Sequence, residues 1–405
     1  MNKFFPIKTE TACQLKWTWS TVYLYEGNTN SCHRVDKSSI VDDFDSFHNT
    51  PKKIADRKLM LDGKWPGGGC EYCSKIEAVG GASDRMMHLT IPNLAPEELD
   101  TDPHAVEVTP RIVEVYFDNL CNMSCIYCTD KYSSKIQQEN KKFGDFELDG
   151  VVIKNKSKKN NKFTELTESF WSWIDAHYSS LRRLHILGGE PFYQKQFDVC
   201  LDFLSSHSNK NLELNIVSNL MIDHEKFKSQ IYKIKDIVVK RKIKRLDITA
   251  SIDCWGKEQE YIRYGLDLTQ WKKNFEFLVQ EKWITLNINQ ALSVLSIPTT
   301  VELIKYVNSQ RVHRPIGQYF MSVVSPSHLN PDILGNVFDK CFEEMSNTMP
   351  DTISKDYMNG IRKQIANSTR NDSEIKKLIV YLTELDRRRQ TDWRTTFPWL
   401  TEYVV

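Results

Sequence analysis

The sequence has no long hydrophobic run, since none of its apolar stretches approaches the roughly 18 residues that a membrane-spanning helix requires. It also lacks an excess of charge, because 54 Lys and Arg residues face 53 Asp and Glu residues, for a formal charge of +1. The first absence excludes a membrane span, and the second argues against a surface built as a whole to hold nucleic acid phosphate. Residues 1–10 carry no charged segment followed by an apolar run, so we expect no signal peptide and a cytoplasmic location.

The rest of the composition is that of an ordinary globular protein, with 40% hydrophobic and 26% charged residues in a chain of 405. This length exceeds the needs of one small module, so we expect one large domain with appendages or two to three domains. Changes in pattern predict three regions: a cysteine-rich module over 1–105, a β/α region over 106–329 and a helical extension over 330–405.

From residue 111 onward, short apolar runs alternate with helical patterns, which is typical of parallel β/α folds. Six runs are predicted to be strands: 112–117, 184–187, 212–217, 246–252, 284–292 and 319–324. The amphipathic segments predicted to cover the sheet are 166–178, 224–238, 269–280 and 299–307. The predicted fold class is therefore α/β, with an open or partial barrel of parallel strands.

Two further segments flank this pattern. Residues 131–162 contain a lysine-rich and asparagine-rich run with few apolar side chains, which predicts a mobile, solvated loop. After residue 329 the pattern becomes helical over 330–345, 354–365 and 373–389, and we expect these helices to pack against the barrel.

The ten cysteines indicate metal binding, because clustered thiols in a reducing compartment bind metal more often than they form disulfides. Three of them stand alone. Cys200 and Cys341 lie in apolar patterns that predict small buried hydrophobic side chains, whereas Cys254 follows the fourth predicted strand, where burial and a reactive or ligand role both stay open.

The strongest pattern is a C-x3-C-x2-C triplet formed by Cys121, Cys125 and Cys128, directly after the first predicted strand. Three thiolates on one loop can hold three irons of an iron-sulfur cube. The loop offers no fourth cysteine, so one iron would keep an open position, as a metal that binds a substrate or cofactor requires.

A second group comprises Cys13, Cys32, Cys70 and Cys73, the last two in a C-x2-C pair. Four thiolates can complete either a tetrahedral zinc site or an iron-sulfur cube, and the spacing alone fits both. Because the surrounding segment shows little sustained periodicity, we expect it to need a metal in order to fold.

With these motifs the sequence resembles the radical SAM superfamily, whose loop after the first barrel strand carries such a triplet around a 4Fe-4S cluster. The resemblance implies a partial (β/α)6 TIM-like barrel in which Cys121, Cys125 and Cys128 bind the cluster and S-adenosylmethionine (SAM) binds its open iron. The residues implied to contact SAM are Tyr127 near the adenine, Gly188, Gly189, Glu190 and Pro191 at the ammonium group, Ser218, Asn219, Ser251 and Asp253 at the ribose and carboxylate, and Arg263 at the carboxylate.

Taken without the cysteines, Gly188 to Pro191 would equally fit a simple strand-to-helix turn. Ser218, Asn219, Ser251 and Asp253 would fit polar residues that end buried strands, and Arg263 could pair with a surface carboxylate.

The N-terminal cysteines resemble the auxiliary-cluster module called twitch or SPASM in radical SAM enzymes. The matching residues are 60–66 before the Cys70/Cys73 pair, Glu77 after it, and 385–392 with 397–398 near the C-terminus. The module usually follows the barrel, whereas here it precedes it. The resemblance implies a second, auxiliary 4Fe-4S cluster on Cys13, Cys32, Cys70 and Cys73.

This resemblance implies a function. A low-potential electron donor such as flavodoxin or ferredoxin would reduce the first cluster, SAM would be cleaved to a 5′-deoxyadenosyl radical, and that radical would abstract hydrogen from a substrate. Related enzymes with such modules often act on peptides or proteins, which we expect here. The alternatives are the same chemistry on a small metabolite or nucleotide, and a non-catalytic, metal-stabilised binding protein; nucleic acid is not an expected partner.

Overall fold

The computed structural model of the protein describes residues 9–78, 80–81, 83–89, 104–148, 150–153 and 157–403. The strands are β1 (Trp19–Tyr23), β2 (Asn28–Asn30), β3 (Ser38–Ser39), β4 (Ile112–Tyr116), β5 (Ser124–Cys125), β6 (Phe146–Leu148), β7 (Val151–Ile153), β8 (Arg183–Leu187), β9 (Glu213–Ser218), β10 (Arg245–Ser251), β11 (Arg263–Tyr264), β12 (Thr285–Leu292) and β13 (Gly317–Ser322). The α-helices are α1 (Gln14–Thr18), α2 (Pro51–Leu61), α3 (Glu71–Ala78), α4 (Asp84–Leu89), α5 (Ser134–Phe143), α6 (Phe163–His177), α7 (Lys195–Ser206), α8 (His224–Val239), α9 (Lys257–Ile262), α10 (Leu268–Gln280), α11 (Ile297–Arg311), α12 (Asp339–Thr348), α13 (Thr352–Ala366), α14 (Asp372–Arg389) and α15 (Trp393–Thr396).

A nine-stranded, mostly parallel sheet organises the fold, in the order β13-β12-β10-β9-β8-β4-β1-β2-β3. The six strands predicted from the sequence are confirmed as β4, β8, β9, β10, β12 and β13, and each pairs in parallel with its neighbour. The α/β class is therefore confirmed. Because parallel strands point the same way, their carboxyl ends meet along one edge of the sheet.

The two faces of the sheet differ in polarity. One face presents buried aliphatic side chains such as Val115, Ile186 and Ile216, which pack with apolar residues of α6, α7, α8 and α10 into the main core. On the other face, neighbouring strands align Glu114, His185 and Asn215 in one row. Closed barrels usually fill their interior with branched aliphatic residues, so this polar row indicates a surface that is not simply packed core.

The N-terminal segment is joined to this sheet. Strand β1 pairs in parallel with β4, and β2 pairs antiparallel with β1. The ring of Phe47, from the same segment, contacts the ring of Trp173 on α6 edge-to-face at 4.7 Å between centroids. The low periodicity before residue 105 therefore reflects short strands and helices, which neighbouring elements stabilise. The division of the chain into three domains stays a prediction.

The segment 131–162 is also more ordered than predicted. Helix α5 and the hairpin of β6 with β7 occupy much of it, and the Lys154–Lys156 part of the basic run lies outside the described residues. Phe146 and Leu148 are buried against the C-terminal helices, and the guanidinium of Arg388 lies 3.7 Å from the centre of the Phe146 ring. Expecting a loop was wrong here, because two alternating apolar residues suffice to seat a short hairpin on an existing core.

The helices predicted after residue 329 are confirmed as α12, α13 and α14. They form a second core with the ends of β12 and β13, and the Tyr381 hydroxyl on α14 donates to the Ile126 carbonyl at 2.6 Å. The C-terminal helices are thus in direct contact with the loop that carries the cysteine triplet. Among the described residues, none of the helices has both the length and the apolar character needed to cross a bilayer.

We predict that Phe47→Ala destabilises the whole sheet region and not only the N-terminal segment. Phe47 is fully buried in the main core, and truncating a buried Phe typically costs about 3 to 5 kcal/mol. Urea denaturation followed by tryptophan fluorescence measures the loss, with Leu59→Ala, at a side chain 36% exposed, as the control. Equal unfolding midpoints for Phe47→Ala and wild type would show that the N-terminal segment does not support the sheet.

Candidate functional site

The cysteine triplet lies on a loop that leaves β4 at the carboxyl edge of the sheet. Ser134, at the start of α5, ties down its beginning, because the Cys121 amide donates to the Ser134 hydroxyl at 3.1 Å. The loop then forms β5, which pairs with β11 so that Cys125 lies opposite Arg263. The Ile126 amide extends this pairing by donating to the Ile262 carbonyl at 2.9 Å. Three cysteines are thereby held on a backbone that is fixed at both ends.

The three thiols are close enough to affect one another electrostatically. Burial and the charge of Cys125 raise the pKa of Cys121 to about 12, and burial also raises the pKa of Cys128, to which Cys125 and Cys121 contribute. Burial raises the pKa of Cys125 as well, although Arg263 acts in the opposite direction. A bound metal must displace these protons, and its positive charge then offsets the burial that disfavours the thiolates. The donor set therefore fits a thiolate-bound metal cluster.

Gly188 and Gly189 make a turn that places the chain against the cysteine loop. Gly189 has φ of +50°, and a Cβ built there would lie 2.1 Å from the Leu120 carbonyl oxygen. The amide of Glu190 donates to that same carbonyl at 2.9 Å. Glycine is required here because the two backbones approach too closely for any side chain. After the turn, Pro191 begins a short 3₁₀ helix, Pro191–Tyr193.

Glu190 links this turn to the end of β9. Its carboxylate accepts from the Ser218 hydroxyl at 2.8 Å, from the Asn219 amide at 2.7 Å and from the Phe192 amide at 3.4 Å. The side chain is almost fully buried, and this burial raises the pKa of Glu190 to about 7 despite the three donors. Glu190 thus holds two predicted parts of the site together, and its carboxyl changes protonation state near neutral pH.

Asn219 extends the contact from β9 to the cysteine loop. Its side-chain amide nitrogen donates to the Asn122 side-chain oxygen at 3.0 Å and lies 3.9 Å from the Cys121 sulfur. Asn122 in turn donates to the Met221 carbonyl at 2.6 Å. The sequence interpretation missed Asn122, although its position directly after the first ligand cysteine was a usable signal.

Asp253, which follows β10, is the centre of the other half of the site. Its carboxylate accepts two hydrogen bonds from the Arg263 guanidinium, each at 2.9 Å, and one from the Tyr127 hydroxyl at 2.7 Å. The remaining Arg263 nitrogen, Nη1, lies 3.9 Å from the Cys125 sulfur. A bidentate pair of this kind is strong and directional. Arg263 is thus committed to Asp253 and to the cysteine loop, not to a surface carboxylate.

Other residues complete this half. Gln259 accepts from the amides of Asp253 and Cys254 at 3.0 and 2.8 Å, and sequence reasoning had no signal for it. Ser251 is buried at the end of β10, opposite Asn289 on β12. Cys254 is fully buried in the second core, and Cys200 is fully buried in the main core as predicted, whereas Cys341 is only partly buried. The structure thus brings the residues predicted after β4, β8, β9 and β10 together at one edge of the sheet.

The four N-terminal cysteines also come together. Cys13 and Cys70 are buried in a third apolar cluster, against which Cys32 packs, and the charge of Cys73 contributes to raising the pKa of Cys32 after the dominant effect of burial. Gly69 makes this possible, since its φ is +113° and a Cβ there would lie 1.9 Å from the Arg34 carbonyl oxygen. The glycine run before Cys70 therefore lets this loop approach the one that carries Cys32.

Among the described residues, no three His, Cys, Asp or Glu side chains converge as one metal ion would need, and both zinc and an iron-sulfur cluster remain alternatives for the N-terminal group.

Comparison with known protein families gives one finding that bears on this site. Residues 111–262 match the family model described as "4Fe-4S single cluster domain". The matched range includes the cysteine triplet, the Gly188–Pro191 turn and Asp253, and the N-terminal cysteines lie outside it. No curated protein matches the chain. The match supports an iron-sulfur protein of the radical SAM-like kind.

We predict that Glu190 makes the stability of the metal-free protein depend on pH. A carboxyl whose folded pKa lies above its unfolded value favours folding below the unfolded pKa, and this contribution is lost as the pH rises from about 4.5 through about 7. The loss amounts to about 3 kcal/mol. Chemical denaturation of wild type and Glu190→Gln across this range measures it, with Glu168→Gln on an exposed position as control. If the difference in unfolding free energy between wild type and Glu190→Gln does not change with pH, the raised pKa of Glu190 is contradicted.

Proposed function

We propose that the protein is a radical SAM enzyme. The observation that carries the proposal is the placement of a three-cysteine loop beside the Gly188–Glu190 turn and the Arg263–Asp253 pair, all at the carboxyl ends of adjacent parallel strands. A 4Fe-4S cluster held by Cys121, Cys125 and Cys128 would supply the electron for the reductive cleavage of SAM to methionine and a 5′-deoxyadenosyl radical. The finer fold that goes with this proposal is a partial (β/α)6 TIM-like barrel.

The protein's own residues would hold and orient the reactants. Cys121, Cys125 and Cys128 would bind three irons, and the loop has no fourth cysteine for the remaining iron. The carbonyl groups of the Gly188–Gly189 turn would receive the ammonium of SAM, because the close approach of Gly189 to the Leu120 carbonyl holds this turn against the cysteine loop. Glu190 beneath it would favour a cation, since a nearby positive charge restores the ionised carboxylate that burial disfavours.

On the other side, Asp253 keeps Tyr127 and Arg263 in fixed positions. Tyr127 would contact the adenine, and Arg263 would offer its Nη1 to the carboxylate of SAM while its other donors stay on Asp253. Ser218, Asn219 and Ser251 end the two strands between these contacts and would contact the ribose. Pre-formed groups of this kind lower the entropy cost of orienting a bound ligand.

A peptide or protein is the substrate class that we propose. On the same face of the sheet as Glu114, edge strand β13 exposes Tyr319 by 56% and Met321 by 58%, a mixed surface that suits a chain with both backbone and apolar groups. The polar face itself favours a second candidate, a small polar metabolite or nucleotide. There Glu114 accepts from His33 at 2.9 Å and from the Thr21 hydroxyl at 2.9 Å.

The accompanying proposals follow from the chemistry. A low-potential donor such as flavodoxin or ferredoxin would supply the electron, and the reaction would take place in the cytoplasm, where thiols stay reduced. A second 4Fe-4S cluster would occupy Cys13, Cys32, Cys70 and Cys73 in a module of the twitch or SPASM kind. We propose no nucleic acid partner.

We predict that anaerobically reconstituted wild-type protein releases 5′-deoxyadenosine slowly when given dithionite and SAM, even without its substrate. Cys125→Ala should lose this release, because the cluster loses one of its three attachments. Cys341→Ala removes a thiol outside both groups and should behave as wild type. The measurement is chromatography of 5′-deoxyadenosine together with iron and sulfide counts. Release by Cys125→Ala at the wild-type rate would show that the triplet is not the site.

We also predict that Cys73→Ala loses about half of the bound iron and makes the N-terminal segment sensitive to protease. Metal binding contributes directly to the folding free energy of a segment with a small core. Some 5′-deoxyadenosine release should remain, since the SAM site is built from other strands. Iron counting and limited proteolysis on the same sample make the measurement. A protease-resistant variant with wild-type iron content would show that Cys73 is not a ligand.

A further inference from the structure

A buried lysine lies within the N-terminal cysteine group. Lys16 is on α1, one helical turn after Cys13, and its amide donates to the Cys13 carbonyl at 3.0 Å. Its side chain is only 2% exposed, and its ammonium pairs with the Asp56 carboxylate at 2.6 Å. Lysine is seldom buried so completely, so its presence here requires a physical reason.

The cysteines are part of that reason. Lys16 follows Cys13 by three residues at the start of α1, so the two side chains lie on one side of the helix. Its partner Asp56 is one turn before Met60 on α2, and Met60 packs in the same buried cluster as Cys13 and Cys70. The ammonium is therefore buried beside the cysteine group.

A second buried lysine in the same segment shows what a purely structural ammonium looks like. Lys53 donates to four neutral oxygens, those of the Ser20 and Thr29 hydroxyls and of the Asn30 and Phe47 carbonyls, and burial lowers its pKa. Lys16 differs because its ammonium pairs with a carboxylate and is buried beside the cysteine group. Its surroundings are therefore suited to holding positive charge.

Lys16 is not the only lysine that pairs with Asp56. Its carboxylate also accepts from Lys52 at 3.3 Å, so it has a second cation, one that is partly exposed. Lys52 also lies beside Asp36, since both approach the Cβ built at Gly68. Lys16 is the buried one of the two lysines, so water screens its charge least and that charge acts most strongly on the groups beside it.

We propose that Lys16 is the fixed counter-ion of an iron-sulfur cluster held by Cys13, Cys32, Cys70 and Cys73, and that its charge makes this cluster easier to reduce. The inference rests on the proposed second cluster. Four thiolates give such a cluster net negative charge, and reduction adds one electron without forming or breaking a bond. A buried cation stabilises the more negative state, because little water is present to screen it.

Three single variants of the full chain test the sign of this effect. In anaerobically reconstituted protein, a dithionite titration followed by electron paramagnetic resonance measures the reduction equilibrium of the cluster whose signal does not change when SAM is added. Lys16→Met removes the cation and should lower the equilibrium constant for reduction about tenfold. For one electron this is a reduction potential lower by about 59 mV. Asp56→Asn removes the anion and should shift it in the opposite direction. Lys58→Met, at an exposed position of α2, should leave it unchanged.

Opposite shifts separate an electrostatic role from mere disruption, which would move both variants in the same direction. Lys16→Arg, which keeps the charge, should stay close to wild type and carries the test if Lys16→Met does not load iron. If the reduction equilibrium is unchanged in Lys16→Met and Asp56→Asn, or shifts in the same direction in both, the proposed counter-ion role of Lys16 is wrong. Iron and sulfide counts showing only one cluster in wild type would instead overturn the second cluster itself, and with it this inference.

Discussion

The pairing of Arg263 with Asp253 is the interaction on which the rest of the site depends. Asp253 follows β10, whereas Arg263 lies on β11, which pairs with the strand that contains Cys125. This ion pair therefore links the cysteine loop to the sheet, and the Tyr127 hydroxyl joins the same carboxylate. Without it the loop would keep its hydrogen bonds at Cys121, Asn122 and Ile126 but lose the charged contact that positions Cys125 beside the end of β10.

The same sheet also connects the two groups of cysteines. Strand β1, which begins shortly after Cys13, lies beside β4, which leads into the triplet loop. The Tyr23 and Tyr116 rings stack across these strands at 4.7 Å, and Tyr116 contacts Tyr132 at 5.3 Å between centroids. The N-terminal segment is thus packed onto the sheet, and both thiol groups have fixed positions relative to the polar face around Glu114.

Sequence reasoning predicted the features that follow from local pattern. The parallel strands and long helices were predicted because buried aliphatic runs and 3.6-residue periods are local properties. Cys121 was identified from the spacing of the triplet, and Gly189 from the resemblance to the radical SAM superfamily. Strand β1, the short hairpin of β6 with β7 and the Gln259 contacts escaped prediction, since they depend on partners distant in sequence. The burial of Lys16 escaped for the same reason.

The central claim is that the triplet holds a cluster with one iron open to SAM. The most direct measurement is the electron paramagnetic resonance spectrum of the reduced, reconstituted protein before and after SAM labelled with ¹⁷O at its carboxylate is added. The claim predicts that one cluster signal changes shape and broadens with the label, because the labelled oxygen binds iron. A spectrum that is identical with and without SAM, in protein that retains its iron, would contradict it.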